Sequence, residues 1–273
     1  MNAYYNVGKL LVEAQGGEEK AIYGNKLIKE YSDKLTMELG KGYSWRNLYN
    51  MRLFYIKFKE GTILYAVRAK LYWNHYKLLL SIKDENEILY YVDISISQNL
   101  SYRQLQEKIK NNEYERLDDK TKEKLANKEE LLPQDFIKNP ILIKNSYDYE
   151  LISEKILKKL ILEDIDNFLT ELGDGFCYIK NEYKIKMGDR YNYIDVLLFN
   201  YIYNSFVVLE LKITELKAEH IGQIQKYMNY IDKNVRSINQ DKTIGIIICK
   251  RDNQFVMEYC SDERIYRTTY ILN

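Results

Sequence analysis

Along the first 125 residues the apolar positions recur three and four apart, the spacing of one helix face. Tyr4, Tyr5, Leu10 and Leu11 mark a first helix from Met1 to about Leu11. Ile22, Leu27, Ile28, Tyr31, Leu35 and Leu39 mark a second from Ala21 to Leu39, with a break at Ser32. The turn Gly40-Lys-Gly-Tyr-Ser44 ends in a serine suited to cap the next helix, whose core face is Leu48, Met51, Phe54 or Tyr55, and Phe58. Helix, glycine turn and capped helix have the outline of a helix-turn-helix, with Arg46 and Asn50 projecting from the early turns where groove contacts are made. An ordinary helical hairpin with solvated polar faces fits the same pattern. Further helices are read at Leu71–Ile82, where His75 among aromatic neighbours reads as structural, and at Glu85–Ser97. The capping box Ser101-Tyr-Arg-Gln104 opens another, whose Arg103, Lys108 and Lys110 suit solvent better than phosphate.

The only two prolines, Pro133 and Pro140, follow the charged segment from Asp118 to Glu130 and place a linker at 126–147, between domains at 1–125 and 148–273. Beyond it, Leu157, Leu160, Ile161, Ile165, Phe168, Leu169 and Leu172 form one apolar stripe, which predicts a single long helix from Tyr149 to Leu172 ended by Gly173 in the αL conformation. Strands are then read at Phe176–Ile179 and Glu182–Lys186, with a turn over Met187-Gly-Asp-Arg190. Two more follow at 193–199 and 206–213. A helix from about Glu219 to Asp232 is anchored by Ile221, Ile224, Met228 and Ile231. Strands at Thr243–Cys249, Phe255–Tyr259 and, at the edge, Ile265–Leu272 complete the series.

Two of these strands break their own pattern. Phe206-Val-Val-Leu-Glu-Leu-Lys-Ile213 is apolar enough to be covered on both faces, yet it carries Glu210 and Lys212 two apart, on one face. Tyr193-Ile-Asp-Val-Leu-Leu-Phe199 carries Asp195. A hairpin between the two brings Asp195, Glu210 and Lys212 to one end of the pair. Burying such charges is bearable only if they pair, hold a metal ion, or sit where the strands open into a cleft. Two carboxylates suit a hard divalent cation such as Mg²⁺, which completes its shell with water and substrate phosphate. A structural ion pair at a strand end is the plainer alternative.

The ordered set Asp195, Glu210-Leu-Lys212 and Gln223-Ile-Gln-Lys-Tyr227 resembles the PD-(D/E)XK nuclease signature, including the Gln-x-x-x-Tyr element of its RecB-like branches. More narrowly, YIDVLLFN, VVLELK and EHIGQIQKYMNYID look like the C-terminal domain of the DUF1016 (YhcG-like) nuclease family. YYNVGKLLVEAQGG and GKGYSWRNLYNMRLFY look like its N-terminal domain. The resemblance implies an α/β restriction-endonuclease-like C-terminal domain, a mixed sheet flanked by helices, preceded by an all-α domain that binds DNA or a partner. It implies a phosphodiester hydrolase that uses Mg²⁺ or Mn²⁺, with Asp195 and Glu210 as metal ligands, Lys212, Gln223 and Tyr227 as further catalytic residues, and nucleic acid, above all DNA, as partner. Repair, recombination and defence against foreign DNA are the roles it opens, and a homo-oligomer is compatible with it. The family also begins with a helix ahead of this first one and adds a first-helix acid. Glu154 and Glu163 both stand on that helix, and neither is carried over. The rival reading is a nuclease fold that has lost activity and serves as a DNA-binding or scaffold protein.

Composition narrows this without changing it. In 273 residues, 46% apolar and 30% charged, no apolar run approaches the roughly 20 residues of a membrane span, and the start lacks a secretory layout, so the expected location is the cytoplasm. Cys177, Cys249 and Cys260 are too few and too scattered for a disulfide framework or a zinc site, and read as buried apolar residues. With two histidines, carboxylate and lysine chemistry is what remains. The net charge of +1 decides nothing about nucleic acid, because the distribution of basic residues matters more than their sum.

Overall fold

The computed structural model describes residues 2–17, 25–58, 71–129, 135, 137–260 and 262–273, so Pro133 and the start of the helix read from Ala21 lie outside the described residues, as does the Cys260 side chain. The chain divides into two compact units, Met1–Tyr114 and Glu115–Asn273.

The first unit is helical among its described residues: α1 (Asn2–Ala14), α2 (Asn25–Leu39), α3 (Trp45–Phe58), α4 (Trp73–Leu79), α5 (Glu85–Ser97) and α6 (Tyr102–Lys110). Ser32 does not break α2, because it is buried and the helix runs through it. Leu11, Ile28, Leu48 and Met51 form a core, and Tyr4 stacks on Trp73 with ring centroids 4.5 Å apart. At Gly8 the backbones of α1 and α3 approach so closely that a Cβ would stand 2.0 Å from the Met51 carbonyl oxygen. A short 3₁₀ turn, Lys41–Tyr43, joins α2 to α3. Arg46 is exposed on the first turn of α3 and Asn50 is half-buried. The capping box at Ser101 is formed. Lys108, by contrast, is not solvated: it is buried 2.9 Å from Glu113 Oε2, whose Oε1 accepts from the Tyr90 hydroxyl at 2.8 Å. His75 bonds the Leu100 carbonyl at 3.0 Å, a structural contact.

The second unit begins with α7 (Asp119–Asn127) and β1 (Ile141–Ile143), continues through α8 (Glu154–Glu163), α9 (Ile165–Leu172), β2 (Phe176–Met187), β3 (Arg190–Asn200), β4 (Ser205–Glu215), α10 (Ala218–Asn234), β5 (Asp241–Arg251) and α11 (Gln254–Cys260), and ends with β6 (Ile265–Leu272). The strands form one mixed sheet in the order β1-β6-β5-β4-β3-β2. The pairs from β1 to β4 are parallel, and the meander β4-β3-β2 is antiparallel. Helices α8 and α9 cover one face through Leu157, Leu160, Ile161, Phe168 and Leu172. Helix α10 covers the other through Ile221, Ile224, Met228 and Ile231, the four residues its periodicity singled out. β4 lies between the two layers, and from Val207 to Lys212 every residue is buried. That is why its sequence is apolar on both faces apart from Glu210 and Lys212.

Several sequence readings are corrected. The segment 126–147 is no linker: β1 lies within it, paired parallel to β6 with Ile141 and Ile143 in the core, and the break between units falls upstream, after Tyr114. Pro140 stands just before β1, where no ladder N–H is needed. With β1 in place, β6 is interior rather than the edge. The long helix is two, divided at Asp164, which adopts φ −130° and ψ 51°. Gly173 ends α9 at φ 123° and ψ −164°, a region glycine alone enters freely, rather than in αL. Residues 176–187 form one bulged strand instead of two. Residues 255–259 are helical: Asn253 Oδ1 accepts from the Val256 amide at 3.4 Å, and Val256 and Met257 pack inward while Phe255 and Tyr259 face solvent. Cys249 is buried as expected, but Cys177 is exposed.

Candidate active site

The site lies where β3 and β4 part. Their ladder runs from Asn200↔Ser205 to Val196↔Leu209 and goes no further. Beyond it β3 stays with β2, and β4 stays with β5. Asp195 and Glu210 are the first residues past the split, so their carboxylates enter the space that ladder hydrogen bonds would otherwise close. The Leu211 amide donates to Asp195 Oδ2 at 3.0 Å, and the Asp195 amide donates to Glu210 Oε1 at 3.4 Å. Each acid thus satisfies backbone left unpaired by the divergence of the strands.

Around this pair the structure gathers the other residues picked out in the sequence. Lys212 Nζ lies 3.4 Å from Glu210 Oε2. Gln223 Nε2, from α10, donates to the same oxygen at 2.9 Å and lies 3.3 Å from the Tyr227 hydroxyl. Gln223 is half-buried, whereas the Tyr227 ring is part of the core beneath α10 and only its hydroxyl reaches the network. Arg46 and Asn50 belong to the other unit.

Two residues come into the site that sequence reasoning missed. Lys158 of α8 donates to Asp195 Oδ1 at 2.9 Å and also bonds Glu182 Oε1 of β2. Neither Glu154 nor Glu163 takes the place of a first-helix acid: Glu163 is paired with Lys159 at 3.6 Å and accepts from the Tyr147 hydroxyl at 3.2 Å. Glu154 is exposed at the start of α8. A single lysine on an amphipathic helix gives no signal in one sequence. Only the fold shows that it faces Asp195.

The electrostatics follow from burial. Glu210 is 1% exposed, and loss of water, followed by the charge of Asp195, pushes its carboxyl up to about 7; Lys212 and the Asp195 amide pull the other way. Burial lowers the Lys158 ammonium, but its bonds to Glu182 and Asp195 outweigh that and hold it above the ordinary lysine value. Burial, then Lys212, lowers His220, whose Nδ1 accepts from the Lys217 amide at 3.2 Å and serves the start of α10. Burial raises the Tyr227 hydroxyl, which stays protonated.

Among the described residues no three His, Cys, Asp or Glu side chains converge on a metal-sized site. Asp195 and Glu210 stand next to each other at the split, and a two-carboxylate donor set fits Mg²⁺ or Mn²⁺, which keep several waters and take the remaining ligands from substrate phosphate. Glu210 Oε2 already accepts from Lys212 and Gln223, but Asp195 Oδ1, Asp195 Oδ2 and Glu210 Oε1 each accept one of the bonds described and keep a lone pair for a cation.

Residues 134–271 match the YhcG PDDEXK nuclease domain family and residues 1–116 match the DUF1016 N-terminal domain. YhcG of Escherichia coli (strain K12) is 26% identical over 282 aligned positions, covering 90% of this chain and 75% of that protein. Among solved structures, a repair endonuclease from Pyrococcus abyssi aligns at 23% identity and TM-score 0.32 over 45% of this chain and 49% of that one. EndoMS in an EndoMS-dsDNA2 complex aligns at 21% and TM-score 0.33 over 45% and 48%. The chain thus spans about half the length of these two solved proteins. With both of its parts matched in order, the chain belongs to the DUF1016 family, and its C-terminal unit is a YhcG PDDEXK nuclease domain, a phosphodiester hydrolase.

Proposed function

We propose that the protein is a Mg²⁺- or Mn²⁺-dependent deoxyribonuclease whose C-terminal unit cuts and whose N-terminal unit binds DNA or a partner protein. The observation that carries this reading is the confinement of two carboxylates, Asp195 and Glu210, in one hydrogen-bonded group where β3 and β4 separate. Each acid has a lysine beside it, Lys158 at Asp195 and Lys212 at Glu210, yet the two acids also stand together and Glu210 is driven toward its protonated form, an arrangement that costs stability and makes sense where a cation is shared.

Asp195 and Glu210 would hold the divalent ion, which supplies Lewis acidity and neutralises phosphate charge when bound. Gln223 fixes the Glu210 carboxylate by donating to Oε2, and the Leu211 amide fixes Asp195. Lys212 Nζ stands beside Glu210, where an ammonium can orient the attacking water and stabilise negative charge on the phosphoryl oxygens. Water attacks phosphorus, one P–O ester bond breaks, and the products are a phosphate monoester and a hydroxyl end.

Arg46, exposed on the first turn of α3, and Asn50 one turn later are the candidate contacts to DNA in the first unit. Among the described residues no helix is long and apolar enough to cross a membrane, and we place the protein in the cytoplasm with nucleic acid. A cleavage screen over duplex, branched and single-stranded DNA and over RNA, with Mg²⁺ or Mn²⁺ against EDTA, tests the proposal. Cutting of RNA alone would overturn the assignment of DNA as substrate.

A further inference from the structure

Where an acid from the first helix was sought, α8 supplies an ammonium. The Lys158 side chain is 14% exposed and bridges two carboxylates on neighbouring strands, Asp195 of β3 and Glu182 of β2. Glu182 itself has φ +48°, uncommon outside glycine, at the point where the β2–β3 register passes from Asn181↔Val196 to Tyr183↔Ile194. A backbone held in that region persists where its surroundings over-determine it, and such positions cluster at functional sites. Lys158 is held by two carboxylates and keeps its third N–H for another acceptor.

The charges of the cluster indicate what that acceptor is. Glu182, Asp195 and Glu210 bring three carboxylates, and Lys158 and Lys212 bring two ammoniums. Adding a divalent cation at Asp195 and Glu210 leaves one positive charge in excess, and a single phosphodiester unit removes it. The two lysines also reach the pair of acids from opposite sides. Lys158 comes from α8, which covers one face of the sheet, while Lys212 belongs to the side covered by α10, where Gln223 bonds its partner Glu210. An anion at the split between β3 and β4 is thereby flanked by both. Resting on the nuclease reading above, we propose that Lys158 is a catalytic residue that donates to a non-bridging oxygen of the scissile phosphodiester, and that Glu182 is the positioning residue that carries it there.

The test compares the full-length wild-type chain with Lys158→Met, Lys158→Arg and Glu182→Gln. It measures cleavage of a labelled DNA, Mn²⁺ affinity by calorimetry, and thermal melting. Lys158→Met should lower kcat by about 10²-fold, the order lost when one preorganised donor to transition-state charge is removed. Its Mn²⁺ affinity should stay the same or tighten, because a cation next to Asp195 has been removed. Lys158→Arg should recover part of the rate, and Glu182→Gln should fall between Lys158→Met and wild type. A Lys158→Met enzyme within about threefold of wild type in kcat would overturn the proposal. So would loss of Mn²⁺ affinity in step with the rate, since Lys158 would then act only by holding Asp195. If Lys158→Met melts early, Lys158→Arg decides, and a folded arginine variant without recovered rate overturns the role. Wild type that cuts nothing with metal takes down the nuclease reading and this inference together. Wild type that cuts, beside an indifferent Lys158→Met, takes down this inference alone.

Discussion

The Leu211 amide donates to Asp195 Oδ2 at 3.0 Å just past the last paired residues of β3 and β4. A side-chain carboxylate here replaces a backbone acceptor on the neighbouring strand. Asp195 therefore has two tasks: through Oδ2 it closes the hydrogen bond of a strand that has lost its partner, and through Oδ1 it accepts from Lys158. The split in the sheet makes the site, and the site residues satisfy the split.

Removing the charge of Glu210 separates the roles. In the metal-free protein its carboxyl is pushed up to about 7 by burial and by Asp195, so the fold binds a proton more tightly there than the unfolded chain does. Stability from the buried protonated form is present below the ordinary carboxyl value, and is lost as pH rises toward 7. Melting in EDTA should therefore fall across that window, and Glu210→Gln should flatten the fall. Metal must displace the same proton, so Mn²⁺ affinity measured by calorimetry should rise about tenfold per pH unit below 7 and level off above it.

Lys212 and Gln223 should fail differently. An ammonium is no cation ligand, so Lys212→Met should lose at least about 10²-fold in turnover with Mn²⁺ affinity nearly intact. Gln223→Ala frees the carboxylate it orients and should cost about 10- to 100-fold in metal affinity or rate. Tyr227→Phe should be milder than either, since the ring stays packed in the core and only the 3.3 Å contact to Gln223 is lost. Equal metal loss in the Lys212 and Gln223 variants would contradict this division.

Asp195, Glu210 and Lys212 stood out in the sequence because a charge inside a buried apolar strand is costly, and Gln223 stood out only through the resemblance of Gln-x-x-x-Tyr to the RecB-like element; the structure brings the four together. Lys158 did not stand out, since it lies among Lys155 and Lys159 on a helix where lysines are ordinary. β1 is three residues long, too short to show a period, and so the prolines beside it looked like a linker. Residues 255–259 alternate no better than they turn. Their helix comes from the Asn253 cap and from packing of Val256 and Met257 under the sheet, which are tertiary facts.

In the first unit, Gly8→Ala would drive a methyl into the Met51 carbonyl, and backbone cannot yield as a side-chain tip can. The variant should lose about 1–3 kcal/mol of stability, read from the urea midpoint at constant m-value. An unchanged midpoint would mean that α1 and α3 do not cross this closely in solution.

If α3 meets DNA, Arg46→Ala with Asn50→Ala should weaken binding and reduce the slope of log K against log[salt] by about one unit, the share of one phosphate contact. Mn²⁺ affinity at Asp195 and Glu210 should not change. An unaltered affinity and slope would assign the first unit to protein partners instead.

The most direct measurement is a Mn²⁺ and Mg²⁺ titration of DNA cleavage by the full chain, run beside Asp195→Asn and Glu210→Gln. Wild type should cut in proportion to metal occupancy and stop in EDTA, while each variant loses at least about 10³-fold, the several kcal/mol that a metal contributes to phosphoryl charge. Undiminished cutting in EDTA, or by either variant at saturating metal, would contradict the assignment of Asp195 and Glu210 as the metal-holding pair.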